Sequence, residues 1–259
     1  MTQKLLTDIK IVLVEPAGAL NVGSIARVMK NMGLKKLVLV NPQCDRHSDD
    51  ARKMAVHAAE ILENATIVDS LPAALTGCQR AIATTARSRS LPTQLESPRQ
   101  GLGWLLNCPS ALIFGPEDRG LSNSELKYAQ RFVCINSNPA YPSLNLAQAV
   151  AVCAYELYQI ATNCSLDNQE TCVSLQERKS SNFATTSANN APIETLEAYY
   201  QHLEAVLLEI GYLYPHTAAA RMDKFRRLYN RANLTDEEVA MLRGILRQIK
   251  WFTANSRNR

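Results

Sequence analysis

Short runs of aliphatic residues recur through the first part of the chain, and each is bounded by polar or turn-forming residues. The runs lie at Ile11–Val14, Leu37–Val40, Ala81–Ala83, Ala111–Phe114 and Phe132–Ile135. Short runs of this kind, mostly rich in aliphatic or β-branched side chains, predict strands that are buried on both faces.

Helical periodicity fills the intervals between these predicted strands. One apolar stripe has the spacing i, i+3, i+4 and i+7 and comprises Ile25, Val28, Met29 and Met32. Ser122 and Glu125 have the spacing of a capping box that opens another helix, and Leu144–Ile160 is a further helix that ends the domain. The alternation predicts an α/β domain with a mostly parallel sheet and helices on both of its faces.

The chain changes character between Asn163 and Ala191, where Ser, Thr, Asn and Gln dominate without a clear apolar period. Helical stripes return after this segment, and Thr235 with Glu238 predicts a second capping box. We therefore expect three parts: an α/β domain at 1–162, a polar linker at 163–191 and a small all-α domain at 192–259.

Composition narrows the class of protein. The 259 residues are 46% hydrophobic and 20% charged, which is typical of a globular protein. No apolar run approaches the ~20 residues of a membrane-spanning helix, and the polar N-terminus is not typical of a signal peptide. Seven scattered cysteines without a C-x-x-C pair favour a reducing compartment, so we expect a cytoplasmic protein. The net charge of +4 permits an RNA partner but does not require one.

Candidate chemistry lies where predicted strands end, which is where open α/β sheets bind ligands. The first segment, EPAGALNVGSIAR, brings Asn21 and Arg27 near one end of a predicted helix. Its only glycines are Gly18 and Gly23, so the glycine fingerprint of a dinucleotide site is missing. Taken alone, the segment also fits a simple Asn cap with an exposed Arg.

Two later segments have a similar placement. In FGPEDRGLS, residues 114–122, three ionisable side chains stand between two glycines. A solvated turn explains these charges but not their apolar, glycine-bounded frame. In NPAYPSLN, residues 138–145, Ser143 and Asn145 flank Leu144 at the start of a helix. The free N–H groups there can bind an acceptor, although Ser and Asn are also ordinary helix caps. A fourth loop, TTARSR at 84–89, offers hydroxyls to a ligand and guanidinium groups to a phosphate backbone, or is an ordinary polar loop.

Taken together, these segments resemble the three signature motifs of the SpoU/TrmH class of RNA 2′-O-methyltransferases in the SPOUT superfamily. Asn21 and Arg27 match the motif N-x5-R, residues 114–122 match F-G-x-E-x-x-G-L-S, and residues 138–145 match N-P-x-x-x-S-L-N. The resemblance covers residues 9–160. The TTARSR loop and the helical extension are most similar to the TrmJ branch, whose members methylate the ribose of cytidine or uridine in the tRNA anticodon loop.

The resemblance implies an α/β, parallel-sheet SPOUT fold with a C-terminal trefoil knot, one of the rare exceptions to unknotted chains. It implies S-adenosylmethionine as the methyl donor, tRNA as the substrate, position 32 as the target nucleotide, and a homodimer with active sites at its interface. No metal is expected. The cofactor pocket would be lined by Thr84, Thr85, Ala86, Gly115, Ile135, Ser143, Leu144 and Asn145. The reaction centre would comprise Arg27, Asn21, Glu117, Ser143 and Asn145.

Basic residues in both predicted domains are candidates for contacts with RNA. They are Arg27, Arg87, Arg89, Arg119, Lys224, Arg226 and Arg227. The C-terminal members of this set fit a surface that follows phosphates, and they fit a solvated helix face equally well.

Transfer of a methyl group to a ribose 2′-hydroxyl requires in-line alignment and help in removing the hydroxyl proton. A guanidinium stays protonated in proteins, so we expect Arg27 to bind an RNA phosphate and to stabilise developing alkoxide charge. Glu117 would orient Arg27 or Asn21. Two alternatives stay open: a SpoU-type methyltransferase of ribosomal RNA or of another tRNA position, and an RNA-binding homologue without catalysis.

Overall fold

The computed structural model describes residues 5–85, 95–166 and 190–256. The chain divides into two compact units, Met1–Ala184 and Thr185–Arg259. Each unit has its own hydrophobic core.

The first unit alternates strands and helices. Its strands are β1 (Ile9–Val14), β2 (Lys36–Val40), β3 (Thr66–Val68), β4 (Arg80–Thr84), β5 (Ser110–Phe114) and β6 (Arg131–Val133). Its helices are α1 (Ala19–Asn31), α2 (Asp49–Ala55), α3 (Ala59–Glu63), α4 (Leu71–Ala74), α5 (Pro98–Gly101), α6 (Asn123–Leu126) and α7 (Leu146–Leu166). Short 3₁₀ segments lie at Val56–Ala58 and Leu102–Leu105.

The six strands form one parallel sheet in the order β3-β2-β1-β5-β4-β6. The chain leaves β1 towards β2 on one side, whereas it leaves β5 towards β6 on the other side. The switch point of the sheet therefore lies between the carboxyl ends of β1 and β5, and open α/β sheets bind ligands at such a point.

The α/β class and all five predicted strands are confirmed, and each strand begins one or two residues earlier than its apolar run. β3 was missed because it is a three-residue edge strand whose Thr66 and Ile67 are exposed. β6 ends at Val133, before the predicted Ile135. Just beyond it, the Cys134 N–H donates to the carbonyl of Glu96 at 2.9 Å.

Two long helices bring distant parts of the sequence to the switch point. Buried residues of α1 and α7, among them Ile25 and Leu157, share one core with Leu13 of β1 and Phe114 of β5. α1 also packs closely on α2, and Gly23 makes this contact possible, because a Cβ there would lie 2.1 Å from the carbonyl oxygen of Ala51.

The second unit consists of three helices, α8 (Ile193–Glu209), α9 (Pro215–Ala232) and α10 (Asp236–Ser256). Its core contains the buried rings of Tyr199 and Tyr200. The predicted capping box is present, because the Thr235 N–H donates to Glu238 Oε2 at 2.8 Å and the Glu238 N–H donates to Thr235 Oγ1 at 3.3 Å. The expected small all-α domain is thus confirmed.

One detail departs from the sequence-based picture. The predicted helix Leu144–Ile160 begins at Leu146 and continues through Leu166 as α7. Cys44, Cys78, Cys108, Cys134 and Cys153 carry free thiols. In the described parts of the chain, no helix combines the length and apolar character needed to cross a membrane.

Candidate active site

The carboxylate of Glu117 lies at the switch point and joins the loops that follow β1 and β5. Its Oε2 accepts the N–H of Ala17 at 3.1 Å, and its Oε1 accepts the N–H of Gly18 at 3.2 Å. Oε1 also accepts a hydrogen bond from Nδ2 of Asn21 at 2.9 Å. These donors belong to the start of α1, so the carboxylate occupies the anion-binding end of that helix.

The environment of Glu117 favours its ionised form. Partial burial raises the pKa of this carboxyl, but the hydrogen bonds from Asn21, Ala17 and Gly18 lower it by more, so the pKa lies below its usual range. With three donors already bound, Glu117 is a fixed acceptor, and one of these donors is Asn21.

Asn21 also contacts the residue that precedes α7. Its Oδ1 accepts a hydrogen bond from Nδ2 of Asn145 at 3.0 Å. The Oδ1 of Asn145 in turn accepts the N–H groups of Ala147 at 2.9 Å and Gln148 at 3.4 Å. Asn145 therefore caps α7 and contacts Asn21 at once. Asn21 is not the cap of α1, a position that Gly18 occupies.

A second contact between the two loops involves Arg119. Its Nη2 donates to Glu15 Oε2 at 2.7 Å and to Glu125 Oε1 at 3.0 Å, and its Nη1 donates to Glu125 Oε2 at 2.9 Å. Hydrogen bonds to Glu125 and Glu15 raise the pKa of Arg119. Burial raises the pKa of Glu125, but the hydrogen bonds from Arg119 and Ser122 lower it by more, so it lies below its usual range.

Gly115 allows the loop after β5 to fold back on itself. A Cβ at this position would lie 2.4 Å from the backbone nitrogen of Leu121 and 2.5 Å from the carbonyl carbon of Gly120. Gly120 itself has a φ of 68°, a left-handed conformation that favours glycine. The two glycines that frame the charged residues are therefore required by the shape of the loop.

Several residues expected at the cofactor pocket lie at the same edge of the sheet. Thr84 and Val133 are paired at the carboxyl ends of the neighbouring strands β4 and β6, and the Thr84 hydroxyl donates to the carbonyl of Ile113 at 3.0 Å. The N–H of Thr85 donates to the carbonyl of Val133 at 3.0 Å. Ile135 is half-buried beyond β6. Ala86, Arg87 and Arg89 lie outside the described residues.

The loop before α7 presents Ser143 and Leu144 on the surface. Leu144 is 38% exposed, and Ser143 is exposed without a hydrogen-bond partner in the described parts of the chain. An adenosine would find apolar side chains in Leu144 and Ile135 and a free hydroxyl in Ser143. These residues fit the group that the family resemblance implies.

Arg27 is not brought into contact with the other candidates. It lies six residues after Asn21, which is about 9 Å along the helix axis, so the two residues do not share one end of α1. Arg27 is exposed, and within the described residues it has neither a hydrogen bond nor an ion pair. Its guanidinium is available to a group outside this chain.

The C-terminal basic residues differ in their availability. Arg226 is ion-paired with both carboxylate oxygens of Glu197, the side chains being 12% and 15% exposed, and it lies 4.4 Å over the ring of Tyr200. Arg226 thus takes part in the packing of its own unit. Lys224 is exposed, Arg227 is half-buried, and neither has a partner in the described part of the unit.

Glu15, Glu125 and the backbone of Ala17 and Gly18 complete the site, and the sequence did not assign them a role there. Of these, only Glu125 was recognisable in the sequence, as a member of the predicted capping box. Its Oε2 accepts the N–H of Ser122 at 2.6 Å. Among the described residues, no group of three or more His, Cys, Asp or Glu side chains is arranged to hold a metal ion.

Comparison with known proteins agrees with this architecture. Residues 8–155 match the SpoU rRNA Methylase family, and residues 194–259 match the C-terminal domain of tRNA methyltransferase TrmJ. The "tRNA (cytidine/uridine-2'-O-)-methyltransferase TrmJ" of Pectobacterium atrosepticum is 41% identical over 250 residues, covering 95% of this chain and 98% of that protein.

Solved structures give the same result. TrmJ from Z. mobilis ZM4 matches with a TM-score of 0.77 and 29% identity over 93% of this chain and 98% of that one. A structure described as giving insights into "the 2-OH methylation of C/U34 on tRNA" matches with a TM-score of 0.51 and 28% identity over 60% of this chain and 97% of that one. The chain belongs to the SpoU methylase family and, within it, to the branch that carries the TrmJ C-terminal domain.

Proposed function

We propose that the chain is a tRNA ribose 2′-O-methyltransferase that uses S-adenosylmethionine and acts on cytidine or uridine in the anticodon loop. One observation carries the proposal: the three motifs of the family converge in a continuous hydrogen-bonded chain from Glu117 through Asn21 to Asn145. The TrmJ-like C-terminal unit supports tRNA as the RNA class.

When bound, S-adenosylmethionine supplies an electrophilic methyl group on a sulfonium. The residues of this chain orient the hydroxyl that is to be methylated. Glu117 accepts from Asn21, so the oxygen of the Asn21 amide is turned towards Asn145 and the start of α7. Rigid side chains of this kind reduce the entropy lost in aligning two reactants.

Arg27 would supply the positive charge of the reaction centre. Its exposed guanidinium has no partner within the described residues of the chain, and it can bind an RNA phosphate in a bidentate manner. The developing charge on the 2′-oxygen would be stabilised by the same group.

A homodimer would complete the site. α7 carries three exposed apolar side chains at a spacing of three residues, namely Val152 at 38%, Tyr155 at 50% and Tyr158 at 37% exposure. Leu20, in the first turn of α1, is 53% exposed. We expect the unaltered protein to sediment as a dimer and Tyr155→Glu to sediment as a monomer; a monomeric unaltered protein would contradict this arrangement.

The target nucleotide has two candidates. The family resemblance implies position 32, whereas the description of one structural relative concerns C/U34. The reaction is the same at both positions, so only mapping of the methylated nucleotide separates them.

The function is tested with purified protein, labelled S-adenosylmethionine and two substrates, unmodified bulk tRNA and ribosomal RNA. Label should enter tRNA, and nucleoside mass spectrometry should identify 2′-O-methylcytidine or 2′-O-methyluridine. Label in ribosomal RNA alone would support the methyl-transfer reaction but would contradict tRNA as the substrate. Label in neither RNA would refute the proposal.

A further inference from the structure

Arg119 stands between two carboxylates that belong to different loops of the site. Its guanidinium donates to Glu125 through Nη1 and Nη2 and also donates to Glu15, which follows β1 directly. Glu15 has a φ of 47°, an uncommon conformation for a residue other than glycine. This backbone is held in place by the Glu15 N–H, which donates to the carbonyl of Val40 at 2.8 Å.

The contacts of Glu117 and Arg119 run in opposite directions between the same two loops. Glu117 lies in the loop after β5, here called the β5 loop. It accepts hydrogen bonds from Ala17 and Gly18 in the loop after β1, the β1 loop. Two residues further on, Arg119 of the β5 loop donates to Glu15 of the β1 loop. Each loop therefore contributes an acidic side chain to the other.

This pair of contacts fixes the position of one loop relative to the other. If only Glu117 joined the loops, the β5 loop could pivot about its carboxylate. The Arg119–Glu15 contact is a second point of attachment, and Glu125 ties the guanidinium to the start of α6. Two points of attachment restrict such a rotation more than one does.

Resting on the proposed function, we propose that Arg119 is a positioning residue of the reaction centre: its bridge between Glu15 and Glu125 sets the orientation of Glu117 and, through it, of Asn21. Arg119 does not act on the RNA itself in this assignment. Its three bonds to carboxylates occupy the guanidinium that a phosphate would otherwise bind.

The test compares Arg119→Ala, Arg119→Lys, Glu15→Gln and the double variant Arg119→Ala with Glu15→Gln. A positioning role predicts that Arg119→Ala and Glu15→Gln each lower kcat for tRNA methylation about tenfold, with KM for tRNA unchanged. The double variant should be no slower than either single one, since both remove the same bridge. Arg119→Lys should recover part of kcat, because it restores the charge without the planar fork.

Contact of Arg119 with RNA predicts a different result and would overturn the proposal. Arg119→Ala would then raise KM for tRNA. In a plot of the logarithm of the tRNA binding constant against the logarithm of the salt concentration, the slope would become shallower by about one. Glu15→Gln would leave KM unchanged or lower it, because it removes a negative charge from the site. A fall in melting temperature with unchanged kcat would also overturn it, as the bridge would then be purely structural.

Hydrogen exchange provides a readout that does not depend on activity. Arg119→Ala should speed amide exchange in residues 15–21 as well as in its own loop, whereas Lys36→Gln should leave both unchanged. Lys36 forms a comparable ion pair with Asp8 at 2.7 Å, but it lies at the amino end of β2. If the unaltered protein transfers no methyl group, the proposed function fails, while exchange in residues 15–21 still decides whether the bridge orders them.

Discussion

At the scale of single residues, the reaction centre depends on hydrogen bonds between side chains that are far apart in sequence. Glu117 and Asn21 are separated by 96 positions, and Asn21 and Asn145 by 124. The sequence predicted these three residues as members of one site, since each belongs to a motif at a strand end. It could not predict the order of contacts, because that order depends on how α1 and α7 pack against the sheet. The pairing of Arg119 with Glu15 left no local signal for the same reason.

Replacing Glu117 tests the centre of this network. Glu117→Gln keeps the size of the side chain but places an NH₂ group against the donors of Ala17, Gly18 or Asn21. We expect kcat for tRNA methylation to fall by about 10²-fold or more, as for other groups that align a reaction. The matched control is Asp118→Asn, an exposed neighbour without a partner in the described chain, which should retain activity. Equal activity in the two variants would contradict the role of Glu117.

The ionisation of Glu117 also has a consequence for stability. Its pKa is lower in the folded protein, so its contribution is present above the usual carboxyl pKa of roughly 4.3 and is lost as the pH falls through the lower folded value. The difference in melting temperature between the unaltered protein and Glu117→Gln should therefore shrink as the pH falls from 7 to about 3. A difference independent of pH would mean that the carboxylate charge contributes nothing.

At the scale of elements, the strands followed directly from the sequence and the connections between elements did not. Short runs buried on both faces identify β1, β2, β4, β5 and β6, because runs of this length with turns on either side are typical of strands in a parallel sheet. β3 has no such run, since it is a three-residue edge strand whose Thr66 and Ile67 are both exposed. The patterns along the chain carry no information on the strand order, so they could not locate the switch point between β1 and β5.

The packing of α1 on α2 provides a test at this scale. Gly23→Ala puts a Cβ against the carbonyl oxygen of Ala51, so the helices must separate, at an expected cost of about 1–3 kcal/mol in the free energy of unfolding. Gly244 lies in α10, and no described atom beyond its own helix backbone lies within 4 Å of the position that a Cβ would take there. Gly244→Ala should therefore stabilise its unit by up to ~1 kcal/mol. Chemical denaturation measures the change in the free energy of unfolding for both variants. If the two changes had the same sign, the close contact of α1 with α2 would be contradicted.

The basic residues of α9 differ in a way that can be measured. Arg226→Met leaves the half-buried Glu197 unpaired, and we expect it to destabilise the C-terminal unit by about 1–3 kcal/mol. Replacing Lys224 and Arg227 together with Ala should leave the melting temperature almost unchanged and should reduce the salt slope of tRNA binding by about two. An unchanged slope would favour the alternative that these two residues form a solvated helix face.

At the scale of the whole molecule, the chain joins a unit built for methyl transfer to a unit of three helices, and each has its own core. The first contains the Glu117–Asn21–Asn145 network, whereas the second matches a domain known from tRNA methyltransferases. The sequence predicted two such parts because a polar segment interrupts the apolar patterns. The knot and the dimer stay predictions, because the family resemblance implied them and the patterns along the chain do not.

The proposed function joins two statements: the chain methylates a ribose in the tRNA anticodon loop, and Asn21 and Glu117 organise the reaction. The most direct measurement incubates the protein with S-adenosylmethionine and an unmodified tRNA transcript, cleaves the RNA and locates the methyl group by fragment mass spectrometry. We predict one 2′-O-methylated pyrimidine in the anticodon loop, at position 32 or 34, and its loss with Asn21→Ala. A methyl group on a base, a methyl group outside that loop, or equal methylation by Asn21→Ala would contradict the proposed function.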